Sequence, residues 1–287
     1  MAKDSVDRRQ LLTQMLSLLP ASALLSCSRS GASSRPGPGP GPQLPQAPSA
    51  PAADHDMSAY NIPSGPPQQI VMLAYQGMTA LDLVGPQFFF ATLGNVEVHL
   101  IAKTAGPIVT DTGLEIVATK TFEQCPSKID ALFVPGGTTG TVAVMKDRAQ
   151  LDFVASCAAH ATWVTSVCTG ALILGAAGAL KGYRATTHWA ARDLLQDCGA
   201  TYGDERVVRD RNRVTGAGVS AGLDLGITLA QLMRGPAMAE GLTLAAEYAP
   251  APPVVINAKT PDSSPTAGML RMMYAPFVAE AKLALTL

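Results

Sequence analysis

Thr162-Trp163-Val164-Thr165-Ser166-Val167-Cys168-Thr169-Gly170-Ala171-Leu172-Ile173-Leu174-Gly175 is the stretch on which the fold of this sequence turns. Residues 162–167 read as a buried strand, and the apolar run from Ala171 reads as the start of a helix. Between them, Ser166-Val167-Cys168-Thr169-Gly170 has the small-x-nucleophile-x-Gly shape of an elbow. Small residues two places before and two places after the cysteine let a strand turn abruptly into a helix and leave the side chain at the tip. A thiol at a helix N-terminus faces unpaired N–H groups and the positive end of the dipole. Its pKa is therefore expected to fall. The alternative is a buried structural cysteine.

On either side of the elbow, short apolar runs alternate with helical stretches. Ile70-Val71-Met72-Leu73-Ala74-Tyr75 is continuous, as expected of a strand covered on both faces. Val96 to Ala102 reads as the next strand, and Ala131-Leu132-Phe133-Val134 as a third that ends in Pro135-Gly136-Gly137. Helices are expected over about 81–93, 147–160, 170–180 and 188–197. Arg206-Val207-Val208 and Arg213-Val214-Thr215 suggest a strand pair, followed by an apolar helix from Asp224 to Met233. This alternation implies an α/β fold with a mostly parallel sheet and helices on both faces. Function in such sheets gathers at the carboxyl ends of the strands.

Two more groups are expected at that edge. Asp82 lies in Thr79-Ala80-Leu81-Asp82-Leu83-Val84-Gly85-Pro86, just past the first strand. Gly85-Pro86 is expected to stop one turn and restart a helix at Pro86, leaving Asp82 on an isolated turn beside the thiol. Thr79-x-x-Asp82 also reads as a capping box. The N–H groups of Gly136 and Gly137 are candidates for an oxyanion hole, against a plain tight turn.

The 287 residues are 47% hydrophobic, enough for one substantial core. A net charge of −1, no basic block and 5% aromatics argue against a nucleic-acid partner. The cysteines are Cys27, Cys125, Cys157, Cys168 and Cys198, with no C-x-x-C spacing, so no metal or cofactor site is expected. Four lie in the expected domain, and two disulfides among them are an open alternative to free thiols.

The first 67 residues read as address and tether. Arg8-Arg9 precedes a stretch with no charge until Arg29, the layout of a signal peptide over residues 1–30. It resembles the twin-arginine export signal. Leu24-Leu25-Ser26-Cys27 resembles a lipobox, which would lipidate Cys27; cleavage near Ala21-Ser22-Ala23 is the alternative. Ten of the 22 prolines fall between 36 and 67, so residues 31–67 are expected to form an extended linker rather than a core. The expected location is exported, periplasmic or membrane-anchored, with a catalytic domain over 68–287.

Five strings carry a resemblance to a known family. They are Leu81-Asp82-Leu83-Val84-Gly85-Pro86, Val134-Pro135-Gly136-Gly137, Thr165 to Ala171, Tyr183-Arg184-Ala185-Thr186-Thr187-His188-Trp189, and Gly218-Val219-Ser220-Ala221-Gly222-Leu223-Asp224. Together they resemble the ThiJ/PfpI superfamily, over about residues 68–260. The resemblance implies a flavodoxin-like sandwich related to the class I glutamine amidotransferase domain. Val207 to Arg213 and Glu247 to Pro253 are similar to the isonitrile hydratase branch. That likeness implies hydration of an isonitrile to an N-substituted formamide, with Cys168 as nucleophile, Asp82 essential and Thr169 contributing. It also implies a homodimer acting on a small molecule, with no cofactor.

Other branches stay in view. The peptidase branch places a histidine after the nucleophile, where this chain has Thr169. Amidotransferases use a downstream His-x-Glu, and no histidine follows His188, whose own role is either supporting or structural. A regulator would need a DNA-binding module after this domain. A glyoxalase-like or thiol stress protein, and a non-catalytic binding protein, complete the alternatives.

Overall fold

The structure, a computed structural model, describes residues 57–254, 256 and 264–287. Its elements begin with β1 (Gln68–Leu73), α1 (Ala80–Ala91), β2 (Val96–Ala102), β3 (Gly106–Val109), β4 (Glu115–Ala118) and β5 (Lys120–Thr121). Then come β6 (Ala131–Val134), α2 (Thr139–Met145), α3 (Arg148–His160), β7 (Trp163–Val167), α4 (Gly170–Ala176) and β8 (Arg184–Ala185). The chain continues through α5 (Leu194–Asp197), β9 (Thr201–Tyr202), β10 (Val207–Asp210) and β11 (Arg213–Gly216). It ends in α6 (Ala221–Arg234), α7 (Pro236–Ala245) and α8 (Pro265–Ala284).

A seven-stranded sheet runs in the order β10-β11-β7-β6-β1-β2-β5. It is parallel except at the edge, where β10 runs antiparallel to β11. Ile70 to Leu73 and Ala131 to Val134 are fully buried, so the central strands read as continuous apolar runs. The path from β1 to β2 moves one way along the sheet, and that from β6 through β7 to β11 moves the other. With right-handed crossovers, the connecting helices fall on opposite faces. Accordingly, α1 packs with α6, while α2, α3 and α4 pack with one another and α8 packs on α2. The flavodoxin-like sandwich expected from the sequence is the fold. Its direction changes between β1 and β6, where open α/β sheets place their sites.

Several expectations change in detail. Gly85-Pro86 does not divide α1, which is continuous with Pro86 inside it. The pair instead permits a close helix crossing: a Cβ on Gly222 of α6 would lie 3.1 Å from Pro86 Cγ, and one on Gly85 3.3 Å from Leu223 Cδ2. The helix expected over 170–180 ends at Ala176, and that over 188–197 breaks into a 3-10 turn (Trp189–Ala191) and α5. The β3–β4 hairpin, α2 and α8 had no counterpart in the sequence reading.

The expected linker also ends earlier than residue 67. The Asn61 side chain donates to Arg234 O at 2.8 Å, and Asn95 donates to Pro63 O at 2.8 Å. Ile62 packs against Gly94, where a Cβ would lie 2.9 Å from Ile62 Cδ1. Residues 57–67 therefore dock on the domain, because their polar side chains and Ile62 find partners there. The signal peptide, Cys27 and the linker as far as residue 56 lie outside the described residues.

Candidate active site

Three segments at the carboxyl ends of adjacent strands build the site: the first turn of α1, after β1, carries Asp82, the loop after β6 carries Gly136 and Gly137, and the turn after β7 carries Cys168. Cys168 occupies the elbow with φ of +55°, a left-handed conformation that costs energy for a residue with a Cβ. The surroundings hold it there. Its N–H donates to Ala217 O at 2.7 Å, and its carbonyl accepts from Thr187 Oγ1 at 2.8 Å. Gly170 lets the helix begin against β6, since a Cβ there would lie 2.2 Å from Val134 O.

Asp82 is fully buried in the first turn of α1. Its Oδ2 accepts from Gly136 N–H at 2.9 Å, while Gly136 O accepts from Thr79 N–H at 2.8 Å. This reciprocal clamp replaces the expected capping box. Thr79 makes no side-chain cap and instead donates to Asp111 Oδ2 at 2.6 Å. A Cβ on Gly136 would lie 2.8 Å from Asp82 Oδ2, 2.8 Å from Cys168 Cβ and 2.6 Å from Thr169 N. Only glycine leaves the carboxyl and the thiol facing each other. Asp82 Oδ1 has no conventional hydrogen-bond partner, and the Cys168 thiol acts on the carboxyl as its titrating neighbour.

The electrostatics correct one expectation. Burial raises the Asp82 pKa to about 7, against the lowering effects of Gly136 N–H and the thiol. The Cys168 thiol is not lowered but pushed well above its ordinary value, first by burial and then by the Asp82 charge. The N–H and hydroxyl of Thr169 do favour thiolate, as a helix start should, but burial beside a carboxylate outweighs them. Two acids therefore share a site that stabilises one negative charge, and between their two ionisations the pair holds one proton.

Gly136 and Gly137 also differ from expectation. Their N–H groups are occupied, Gly136 by Asp82 and Gly137 by Thr169 Oγ1 at 3.0 Å. In this arrangement they position the acid and the elbow rather than form an oxyanion hole. Thr169 Oγ1 also lies 2.9 Å from Thr141 Oγ1, which is 3.2 Å from the Tyr75 hydroxyl, and Tyr75 donates to Pro135 O at 2.9 Å. His188 caps the 3-10 turn by accepting from Ala190 N–H at 3.3 Å. Burial holds its pKa down to about 4, so it is neutral at physiological pH and only a weak base.

Sequence reading missed Tyr75, Thr141, Thr187 and Tyr274. The first three bond to partners 60, 28 and 19 positions away in the chain, which no spacing signals. Tyr274 comes from α8, near enough to Cys168 and Asp111 that their charges, after burial, raise its phenol pKa. Its ring stands 5.2 Å from His188 and 6.2 Å from Trp189. Ser264-Pro265 is the signal that would have found this helix, with Ser264 Oγ capping Ala267 N–H at 3.1 Å. Beside the elbow opens a cavity of about 480 Å³, lined by Thr187 and Ala217 together with Leu81, Trp189 and Val219. Among the described residues no cluster suited to a metal ion occurs.

With this geometry in hand, the likenesses to known proteins take on meaning. The sequence profile of the DJ-1/PfpI family matches residues 68–232. An isonitrile hydratase of Pseudomonas putida is 49% identical over 199 residues, which cover 69% of this chain and 86% of that protein. The deglycase PfpI of Pyrococcus furiosus is 27% identical over 148 residues, covering 51% of this chain and 88% of that protein. Among solved structures, a ThiJ/PfpI family protein from Pseudomonas syringae superposes with a TM-score of 0.76 at 43% identity. It covers 84% of this chain and 99% of its own.

Proposed function

The chain belongs to the DJ-1/PfpI family, and on that premise we propose that it hydrates an isonitrile to an N-substituted formamide through a thioimidate on Cys168. The observation that carries the reading is a buried thiol facing a buried carboxyl near neutrality, with one Asp82 oxygen left unpaired. The likeness to the P. putida hydratase supports the substrate class.

The chemistry needs one mobile proton. An isonitrile carbon accepts a soft nucleophile, and attack leaves negative charge on that same carbon. As Cys168 sulfur bonds to the carbon, the shared proton passes through Asp82 to the carbon, giving the thioimidate and an Asp82 carboxylate. The carboxylate then draws a proton from water as the oxygen adds to the thioimidate carbon, and delivers it to the nitrogen. Collapse of this adduct expels the sulfur, returns the hydroxyl proton to the pair and releases the formamide. One carboxyl group thus serves as acid and base, so no histidine is needed. Thr169, tied to Thr141 and Gly137, keeps the elbow fixed, and the neighbouring cavity receives the nitrogen substituent.

Turnover of a small isonitrile, followed by formamide appearance, tests the reading. Formation is expected with the intact protein and a thioimidate mass on Cys168 with slow substrates. Absence of formamide across aryl and alkyl isonitriles overturns it. Export, lipidation of Cys27 and a homodimer belong to the same proposal. Membrane attachment lost in Cys27→Ala, and a dimer mass in sedimentation, are the expected results.

A further inference from the structure

Two thiols that the proposed chemistry leaves unused meet at the opposite end of the sheet. Cys125 follows the 3-10 turn Phe122–Gln124, which is fixed by a capping box between Thr121 and Gln124. Cys157 lies on α3 and is buried, whereas Cys125 is half-buried. Phe153 and Cys157 are four residues apart and share one face of α3. Phe122 and Cys125 are three apart and share one side of the tighter turn. The rings of Phe122 and Phe153 stack at 4.0 Å with an interplanar angle of 6°. That stack sets the register, and one step along it Cys125 and Cys157 border the same cavity, each acting on the other's ionisation. Both thiols line an open cavity of about 320 Å³ with Pro126, Ile129 and His160. They are reduced in this structure.

We propose that Cys125 and Cys157 form a redox-active pair that closes to an intramolecular disulfide on meeting a small-molecule disulfide such as oxidised glutathione. The roles of the two thiols are unequal. The neighbouring Cys157 thiol and then the charge of Lys120 lower the Cys125 pKa, against burial, while Cys125 and burial push Cys157 up. Cys125 is thus the attacking thiolate and the more accessible of the two. Its sulfur displaces one glutathione thiolate from oxidised glutathione and forms a mixed disulfide. Cys157 then attacks the Cys125 sulfur, loses its proton to the first glutathione thiolate, and expels the second glutathione, which takes a proton from solvent to replace the one Cys125 gave up. The balance is one dithiol plus one oxidised glutathione giving one protein disulfide plus two reduced glutathiones. The bond would join the two ends of the segment that carries β6, the Gly136-Gly137 turn and α2, and so would hold the platform on which Asp82 rests.

The experiment treats the full chain with oxidised glutathione at neutral pH without denaturant, quenches with acid, alkylates with iodoacetamide and maps peptides by mass. The expected result is a joined Cys125–Cys157 peptide lighter by two hydrogens, with Cys198 alkylated. Cys125 should react at least ~10-fold faster than Cys198, whose pKa burial pushes up to about 12. In Cys157→Ser, glutathione should remain on Cys125; in Cys125→Ser, Cys157 should stay free of glutathione. Alkylation of both Cys125 and Cys157 in the oxidised wild type overturns the proposal. So does a persistent glutathione adduct on wild-type Cys125, or its linkage to another cysteine. Because the readout is covalent mass, it stands or falls separately from isonitrile turnover.

Discussion

The parallel sheet has a thiol site at each end, and the two behave as opposites. At the carboxyl end, Cys168 sits on a strained elbow against a carboxyl group, in a place where burial suppresses charge. At the amino end, Cys125 and Cys157 border one cavity ahead of β6 and β7, the first half-buried and the second buried, and Cys157 lowers the Cys125 pKa. A fourth cysteine, Cys198, belongs to neither site, and burial and then the Asp197 charge raise its thiol pKa. A Cβ on Gly175 would lie 2.2 Å from its sulfur, so it simply fills the hollow that glycine leaves. Residue type is therefore a poor guide to thiol chemistry in this fold. The surroundings decide: burial beside a carboxyl raises Cys168, a second thiol lowers Cys125, and the glycine beside Cys198 makes a packing contact.

The sharpest way to break this contrast is to remove each thiol in turn. Cys168→Ala should abolish formamide production, while Cys125→Ser and Cys157→Ser should keep turnover within about twofold, since neither touches the elbow. Comparable losses from all three would mean that the amino-end pair also serves the chemistry.

Asp82→Asn comes next. Loss of the relay should lower kcat at least ~100-fold, the lower range of a general acid–base contribution, with the folded-state circular dichroism retained. The pH profile sharpens the point. Below about pH 7 both members of the pair are protonated, so wild-type kcat/KM should rise as pH increases through about 7. It should fall again at alkaline pH, when the thiol also ionises and no proton remains to deliver. Asp82→Asn should remove the acid limb near 7. If the limb stays there in the variant, it belongs to another group.

A smaller effect is expected at Tyr274, which borders the elbow from a helix outside the sheet. Tyr274→Phe keeps the ring against His188 and removes a hydroxyl that bound substrate could use; KM should change more than kcat, by roughly two- to tenfold, the value of one hydrogen bond. A kcat loss comparable to that of Asp82→Asn would make the phenol part of the proton relay.

The smallest concerns the helix that carries Cys157. Asp147 caps α3 by accepting from Ala149 N–H at 3.1 Å and Gln150 N–H at 3.3 Å. Asp147→Ala should cost about 1 kcal/mol in chemical denaturation, the usual value of an N-cap. The Lys103 ammonium beside Asp147 holds its carboxyl below the ordinary range. Its contribution is therefore present above the unfolded carboxylate pKa and lost as pH falls through the lower, folded value. A stability difference between wild type and variant that does not shrink in acid would remove the charge from this account.

Much of this was legible in the chain. The apolar runs at 70–75, 131–134 and 162–167 identify the central strands, because strands covered on both faces need no polar alternation. Ser166 to Gly170 identifies the elbow, because only small flanking residues permit that turn. Local rules misjudged Thr79 and Gly85-Pro86: both carry strong local signals, yet tertiary partners claim them. Thr79 bonds to Asp111, and Gly85-Pro86 meets Leu223 and Gly222. The Phe122–Phe153 stack and the thiol pair beneath it join residues about thirty apart in the chain. Periodicity places each on its own element but carries no information about which elements face each other.

By itself, then, the sequence determined the central strands, the strand-to-helix elbow at Cys168 and the small residues that this turn demands. Those are consequences of side-chain size, hydrophobic period and backbone freedom, all properties of a few neighbouring residues. Only the tertiary structure decided that Asp82 meets Cys168 and Gly136, that the thiol is raised rather than lowered, and that Cys125 finds Cys157. Proton affinity depends on the charges and solvent within a few ångströms, and those are set by which distant segments the sheet brings together.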